Sequence, residues 1–80
     1  MSKKKNRPLA ICVRNSLKLY LKDLNGESPA DLYDMVISQV EKPLLEIIMR
    51  CAENNQCRAA QMLGINRNTL RKKLRDHGLN

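Results

Sequence analysis

Eighty residues with a formal charge of +7 and a pI near 9.7 make one small basic domain, of a size that buries only about 60 to 65% of the surface its unfolded chain exposes. The composition is 42% hydrophobic with no Phe, no Trp and two Tyr, so a core must be built from Leu, Ile, Val, Met and Ala, the filling of helix bundles. Three cysteines without a CxxC pair and a single His far off in sequence lack the spacing of a zinc site or a disulfide framework, so a reducing cytosol and no metal or other cofactor are expected.

The charge is unevenly spread. Residues 1–20 carry six basic and no acidic groups, residues 21–50 three basic and six acidic, and residues 51–80 six basic and two acidic. Basic ends around an acidic middle imply a polyanionic partner, either nucleic acid or an acidic membrane surface. The basic leader "MSKKKNR", residues 1–7, has nothing to bury and is expected to be mobile, a solubility tail or a source of non-specific DNA affinity. The apolar run behind it lasts only about five residues before Arg14, too short for a signal peptide, and no stretch has transmembrane length.

Pro8 suits the first turn of a helix, where its missing N–H is not needed. Val13, Leu17, Tyr20, Leu21 and Leu24 then recur at spacings of three and four, the pattern of an amphipathic helix that "LNGES" ends. A second start is read at "SPAD", with Ser28 as N-cap and Pro29 at the first helical position. From there to about Ala52 the apolar positions form a band too broad for one neighbouring helix, so this helix needs partners on two sides. Pro43 lies inside it and predicts a kink, since it removes the hydrogen bond to the Gln39 carbonyl.

Two shorter helices follow, Gln56 to Leu63 and Arg67 or Asn68 to Asp76, with Asn55 and Asn66 placed as N-caps and Gly78 closing the last. A pair of short helices joined through Gly64 has the dimensions of a helix-turn-helix. Ala60 supplies the small side chain at the crossing, and Leu63, Ile65, Leu70 and Leu74 lie where inward contacts are required. Arg67, Arg71, Lys72, Lys73 and Arg75 then fall within nine residues of the second helix. Like charges at helical spacing repel by a few tenths of a kcal/mol per pair unless something anionic lies opposite. A helix that enters the major groove by its N-terminal residues explains them; a merely solvated basic face explains the charge but not Ala60, Gly64 and the four apolar positions.

"NQCRAAQMLGINRNTLRKKLRDHGLN" resembles the C-terminal motif of the Fis family, small homodimeric bacterial nucleoid proteins that bind and bend DNA, and the resemblance extends upstream to about residue 8. It implies an all-α fold of four helices per subunit. Residues 8–54 would form the dimerisation helices, the first two helices of each subunit intertwining with those of its twin, and residues 55–80 the helix-turn-helix. In the family the two recognition helices stand closer together than one turn of straight DNA, so the duplex must bend and is read largely through its deformability.

Carried over by position, Asn66 and Arg67 match residues that reach base edges, Arg67 being suited to O6 and N7 of guanine, with Asn68 beside them. Asn55, Arg58, Thr69, Arg71, Lys72 and Lys73 match positions near the DNA backbone, Arg75 preserves a basic one, and Cys57 stands where a hydroxyl residue is common. Asn68 in place of a small residue could alter base preference, and Asp76 in place of a basic residue removes a phosphate interaction. Enteric members contact a recombinase through a longer N-terminal arm; only about seven residues precede the first helix here, so that partner is not expected.

The partners implied are double-stranded DNA and a second copy of the chain, not a membrane, and the place is the cytoplasmic nucleoid. An alternative is the Fis-like output module of an enhancer-binding activator, against which an initiating Met1 and a full run of helices argue. An RNA-binding or adaptor role is the remaining class; RNA duplexes present a major groove too narrow for a helix. Asp34, Glu41 and Glu46 read as a solvated acidic face, His77 has no nucleophile to serve, Cys57 reads as an ordinary thiol more than a redox sensor, and Met35, Met49 and Met62 read as core filling, so no enzymatic activity is expected.

Overall fold

The computed structural model describes the backbone of residues 2–79 and the side chains of residues 8–79. Its elements are α1 (Ser2–Asp23), α2 (Leu32–Cys51), α3 (Gln56–Leu63) and α4 (Arg67–Asp76), and no strand is present among the described residues. The chain is therefore all-α, as its composition and periodicity imply, and none of the helices is long and apolar enough to cross a membrane. It divides into two compact units, Met1–Leu32 and Tyr33–Asn80.

In the first unit α1 begins at Ser2, six residues ahead of the expected start at Pro8. Pro8 is thus interior to the helix, which forgoes one bond to the Lys4 carbonyl; the flanking lysines and arginine are good helix formers and sustain the run across it. The side chains of the leader lie outside the described residues. Val13, Leu17 and Leu24 are half-buried, while Leu9, Leu19 and Tyr20 are exposed. The predicted stop is observed: Asn25 and Gly26 take φ of 52° and 87°, the left-handed conformation that turns the chain out of the helix.

The second helix starts later than the sequence suggests. Ser28 and Pro29 stay outside it, because Asp31 adopts φ of 52° and interrupts any helical run before Leu32. From Leu32, α2 continues through Pro43 without a break to Cys51, about 30 Å in 20 residues.

Three helices of the second unit end in the same way. At the end of α2, Asn54 donates to the Met49 carbonyl at 2.8 Å and Glu53 to that of Arg50 at 3.1 Å; at the end of α3, Ile65 donates to Ala60 at 3.1 Å and Gly64 to Gln61 at 3.2 Å. At the end of α4, Leu79 donates to Leu74 at 2.8 Å and Gly78 to Arg75 at 3.0 Å. Each is the paired six-to-one and five-to-two closure of a Schellman motif, which needs a left-handed residue. Gly64 and Gly78 supply it with φ of 76° and 68°; Glu53, at 55°, does so without glycine's freedom.

These closures fold α2, α3 and α4 onto one core of Leu45, Ala52, Ala59, Ala60, Leu70 and Leu74, with Ile48, Met49, Leu63, Ile65 and Leu79 packed against it. The core is shared between the helix-turn-helix and the segment before it: α2 supplies Leu45 and the turn that follows supplies Ala52, each 1% exposed. Met35 and Met49 are half-buried, but Met62 is 49% exposed, so its reading as core filling is corrected. Cys12, Cys51 and Cys57 are all free and exposed.

Besides the residues facing this core, α2 carries a second apolar stripe. Tyr33, Ile37, Val40, Leu44 and Ile47 recur at spacings of four, three, four and three, and all five are exposed, between 38% and 76%. Residues 41, 45, 48 and 52 mark the face toward α3 and α4, about a quarter-turn round the helix from that stripe. The band that the sequence shows as too broad for one neighbour is therefore two stripes, one of them covered within the unit.

Candidate nucleic-acid interface

The interface is built on two helix starts. Asn55 has extended φ/ψ of −90° and 107° and its Oδ1 accepts from the Arg58 N–H at 3.1 Å; Asn66, at −70° and 145°, accepts from the Asn68 N–H at 2.7 Å. Both asparagines are caps, as their sequence positions indicate, and this occupies the side-chain carbonyl of each. What remains free is the amide NH2, two donors that suit phosphate oxygens or purine acceptors. The carry-over of Asn55 and Asn66 as DNA contacts is compatible with capping through that nitrogen, since phosphate oxygens call for a donor.

On this basis Asn66→Asp should leave stability within about 0.5 kcal/mol of the parent, since aspartate caps as well as asparagine, yet weaken duplex binding tenfold or more by exchanging a donor for a negative charge. Asn66→Ala should instead cost about 1 kcal/mol of stability. Thermal melts and duplex titrations on the two variants separate the roles.

Leu70 and Leu74 are fully buried and set the inner face of α4. Arg67, Arg71 and Arg75, four residues apart, run down one flank, Asn68 and Lys72 lie on the outward face, and Thr69 begins the other flank. All six are exposed, as are Asn55, Cys57, Arg58 and Asn66. The protein thus presents ten of the eleven sequence-derived candidates to solvent from α3, the turn and α4. Lys72 and Asp76 approach to 3.6 Å, but with side chains 71% and 59% exposed this i,i+4 pair is worth little and does not withhold Lys72 from a ligand.

Lys73 is placed differently. Its Nζ donates to Glu41 Oε2 at 2.8 Å, and His77 Nε2 lies 2.9 Å from Glu41 Oε1, so one carboxylate on α2 engages Lys73 in the last turn of α4 and His77 at its C-cap. The side chains are 36% exposed for Lys73, 22% for Glu41 and 10% for His77. Reading Glu41 as part of a solvated acidic face is corrected. A signal was available for Glu41: it lies four residues before Leu45, on the stripe that faces the core. No comparable signal names its partners, which are 32 and 36 residues away.

The Lys73 hydrogen bond first, and the His77 bond second, hold the Glu41 carboxyl below its ordinary value near 4.5, against an opposing push from partial burial. A carboxyl with a depressed folded-state value stabilises the fold above its unfolded value and loses that contribution as pH falls through the folded one. Acid titration of stability should therefore show a loss beginning below about pH 5 that Glu41→Gln lacks, and that variant should be about 2 kcal/mol less stable at neutral pH. Melts of both proteins from neutral pH downward check it.

Comparison with known proteins places these elements among relatives. Residues 36–77, spanning most of α2 and all of α3 and α4, match the family model described as bacterial regulatory protein, Fis family. A Fis-like DNA-binding protein of Ralstonia nicotianae is 58% identical over 72 residues, 90% of this chain and 94% of its own. A relative named DNA-binding protein Fis, from Tolumonas auensis, is 57% identical over 74 residues, 92% of this chain and 75% of its own. A Fis-like DNA-binding protein of Neisseria meningitidis is 59% identical over 68 residues, 85% and 86% of the two chains.

Proposed function

The chain belongs to the Fis family of bacterial regulatory proteins, and from that premise we propose that it acts in the nucleoid as a homodimer that binds and bends double-stranded DNA. It is a Fis-type DNA-binding protein and not an enzyme. The observation that carries the dimer is the exposed stripe Tyr33, Ile37, Val40, Leu44 and Ile47, whose alternating spacing is that of a helix seam packed against another helix. Leaving five large side chains in water on one line is costly, and a second copy covers them at roughly 1.5 to 3 kcal/mol for each side chain fully buried.

Each copy then contributes one helix-turn-helix. Arg67 reads guanine from the N-terminal end of α4 with Asn66 and Asn68 beside it, while Asn55, Cys57, Arg58, Thr69, Arg71, Lys72 and Arg75 line the surrounding phosphates. Two reading heads closer than a helical turn require the duplex to curve toward the protein, so easily kinked steps are favoured at positions no side chain touches.

Removing the guanine reader tests the assignment. Arg67→Ala should cost about 1 to 3 kcal/mol on the preferred site and level the preference between sites, with the fold intact because Arg67 is exposed. Competition titrations between preferred and scrambled duplexes at one salt concentration give the answer; undiminished discrimination would remove Arg67 from the base-reading set.

A further inference from the structure

We propose that Glu41 is a positioning residue for the DNA-binding helix: it locks α4 against α2 through Lys73 and His77 and keeps Lys73 off the phosphates. This rests on the DNA-binding reading above and assigns a different role to one residue of the basic segment. Apolar packing such as that of the cluster holding Leu45, Leu70 and Leu74 is non-directional and permits small rotations of a helix about its axis. A carboxylate whose two oxygens each hold a separate partner, one in the last turn of α4 and one at its C-cap, at 2.8 and 2.9 Å, does not permit them.

The same geometry sets Lys73 apart from its neighbours. Arg71, Lys72 and Arg75 are exposed, and among the described residues the one carboxylate contact they make, Lys72 with Asp76, is open to water. Lys73 is bonded to a carboxylate that is itself largely shielded. To reach a phosphate it would give up that bond and leave the Glu41 charge less compensated beside a polyanion. Exchanging one anion for another at that penalty gains nothing, so the lysine stays where it is.

The salt dependence of duplex binding separates the two roles, because each neutralised phosphate contributes about 0.9 to the log–log slope and a positioning residue contributes nothing to it. Arg71→Gln, the control, should make the slope shallower by about that amount for each phosphate it no longer neutralises. Lys73→Gln, and Lys73→Met as a variant that keeps the aliphatic stem, should leave the slope as in the parent and weaken binding by a similar factor, roughly three- to tenfold, at every salt concentration. Glu41→Gln should steepen the slope by about 0.9 as Lys73 is released. A slope made shallower by Lys73→Gln or Lys73→Met, or left unchanged by Glu41→Gln, overturns the proposal. If Arg71→Gln also leaves the slope unchanged, it is the phosphate-facing reading of α4 that fails.

Discussion

A double substitution of Leu44 and Ile47 by glutamine should convert the protein to monomers at micromolar concentration and weaken duplex binding by a hundredfold or more. Both side chains are exposed in the single chain, at 44% and 54%, so their replacement removes nothing from the core around Leu45 and Leu70. Glutamine is a good helix former and carries no charge, which leaves α2 intact and adds no repulsion toward DNA. Across a two-fold seam the change strips four apolar side chains, on the order of 6 to 12 kcal/mol at full burial. Binding collapses because one reading head per molecule loses the effective concentration that the second supplies. Sedimentation of the variant checks the first effect and duplex titration the second; a variant that remains paired would remove the stripe from the interface.

The other large effect lies in the core. Leu70→Ala truncates a side chain that is 0% exposed at the centre of the helix-turn-helix, where α2, α3 and α4 meet. Such truncations cost about 2 to 5 kcal/mol, and in a domain of this size about 3 kcal/mol lowers the melting temperature by on the order of 15 °C. The neighbouring Leu74, equally buried, should behave alike, whereas Met62→Ala, on an exposed residue of α3, should change stability by less than about 0.5 kcal/mol. Thermal denaturation of the three variants compares them directly. A small loss at Leu70 would mean that the three helices do not share one core.

What could be read from the residues divides along physical lines. The caps at Asn55 and Asn66 and the stop at Gly64 are made within a few residues of themselves, by an oxygen that reaches the next N–H groups or a backbone free to turn left-handed, and they stand where the sequence places them. The start of α2 does not. Ser28 and Pro29 form a good local signal, but Asp31 takes a left-handed conformation that no nearby residue announces, and the helix waits for Leu32. The breadth of the apolar band on α2 was legible as a demand for two partners, since counting apolar positions needs no coordinates. Its resolution into a covered stripe at Leu45 and Ile48 and an exposed one at Val40 and Leu44 required the structure.

The site divides in the same way. Ten candidates from Asn55 to Arg75 are exposed; on α4 helical spacing alone separates Arg67, Asn68, Thr69, Arg71, Lys72 and Arg75 from Leu70 and Leu74. Lys73 follows the same arithmetic up to the point where Glu41, on another helix, accepts from it. A charge run shows which residues are basic; only the fold shows which of them already has an anion.

The mass of protein held on one duplex bears most directly on the whole account. Sedimentation equilibrium of the protein with a single-site duplex should show two chains of 9.2 kDa added per DNA, with no stable complex carrying one. A single 9.2 kDa chain bound at full affinity and with full preference for the site would contradict it.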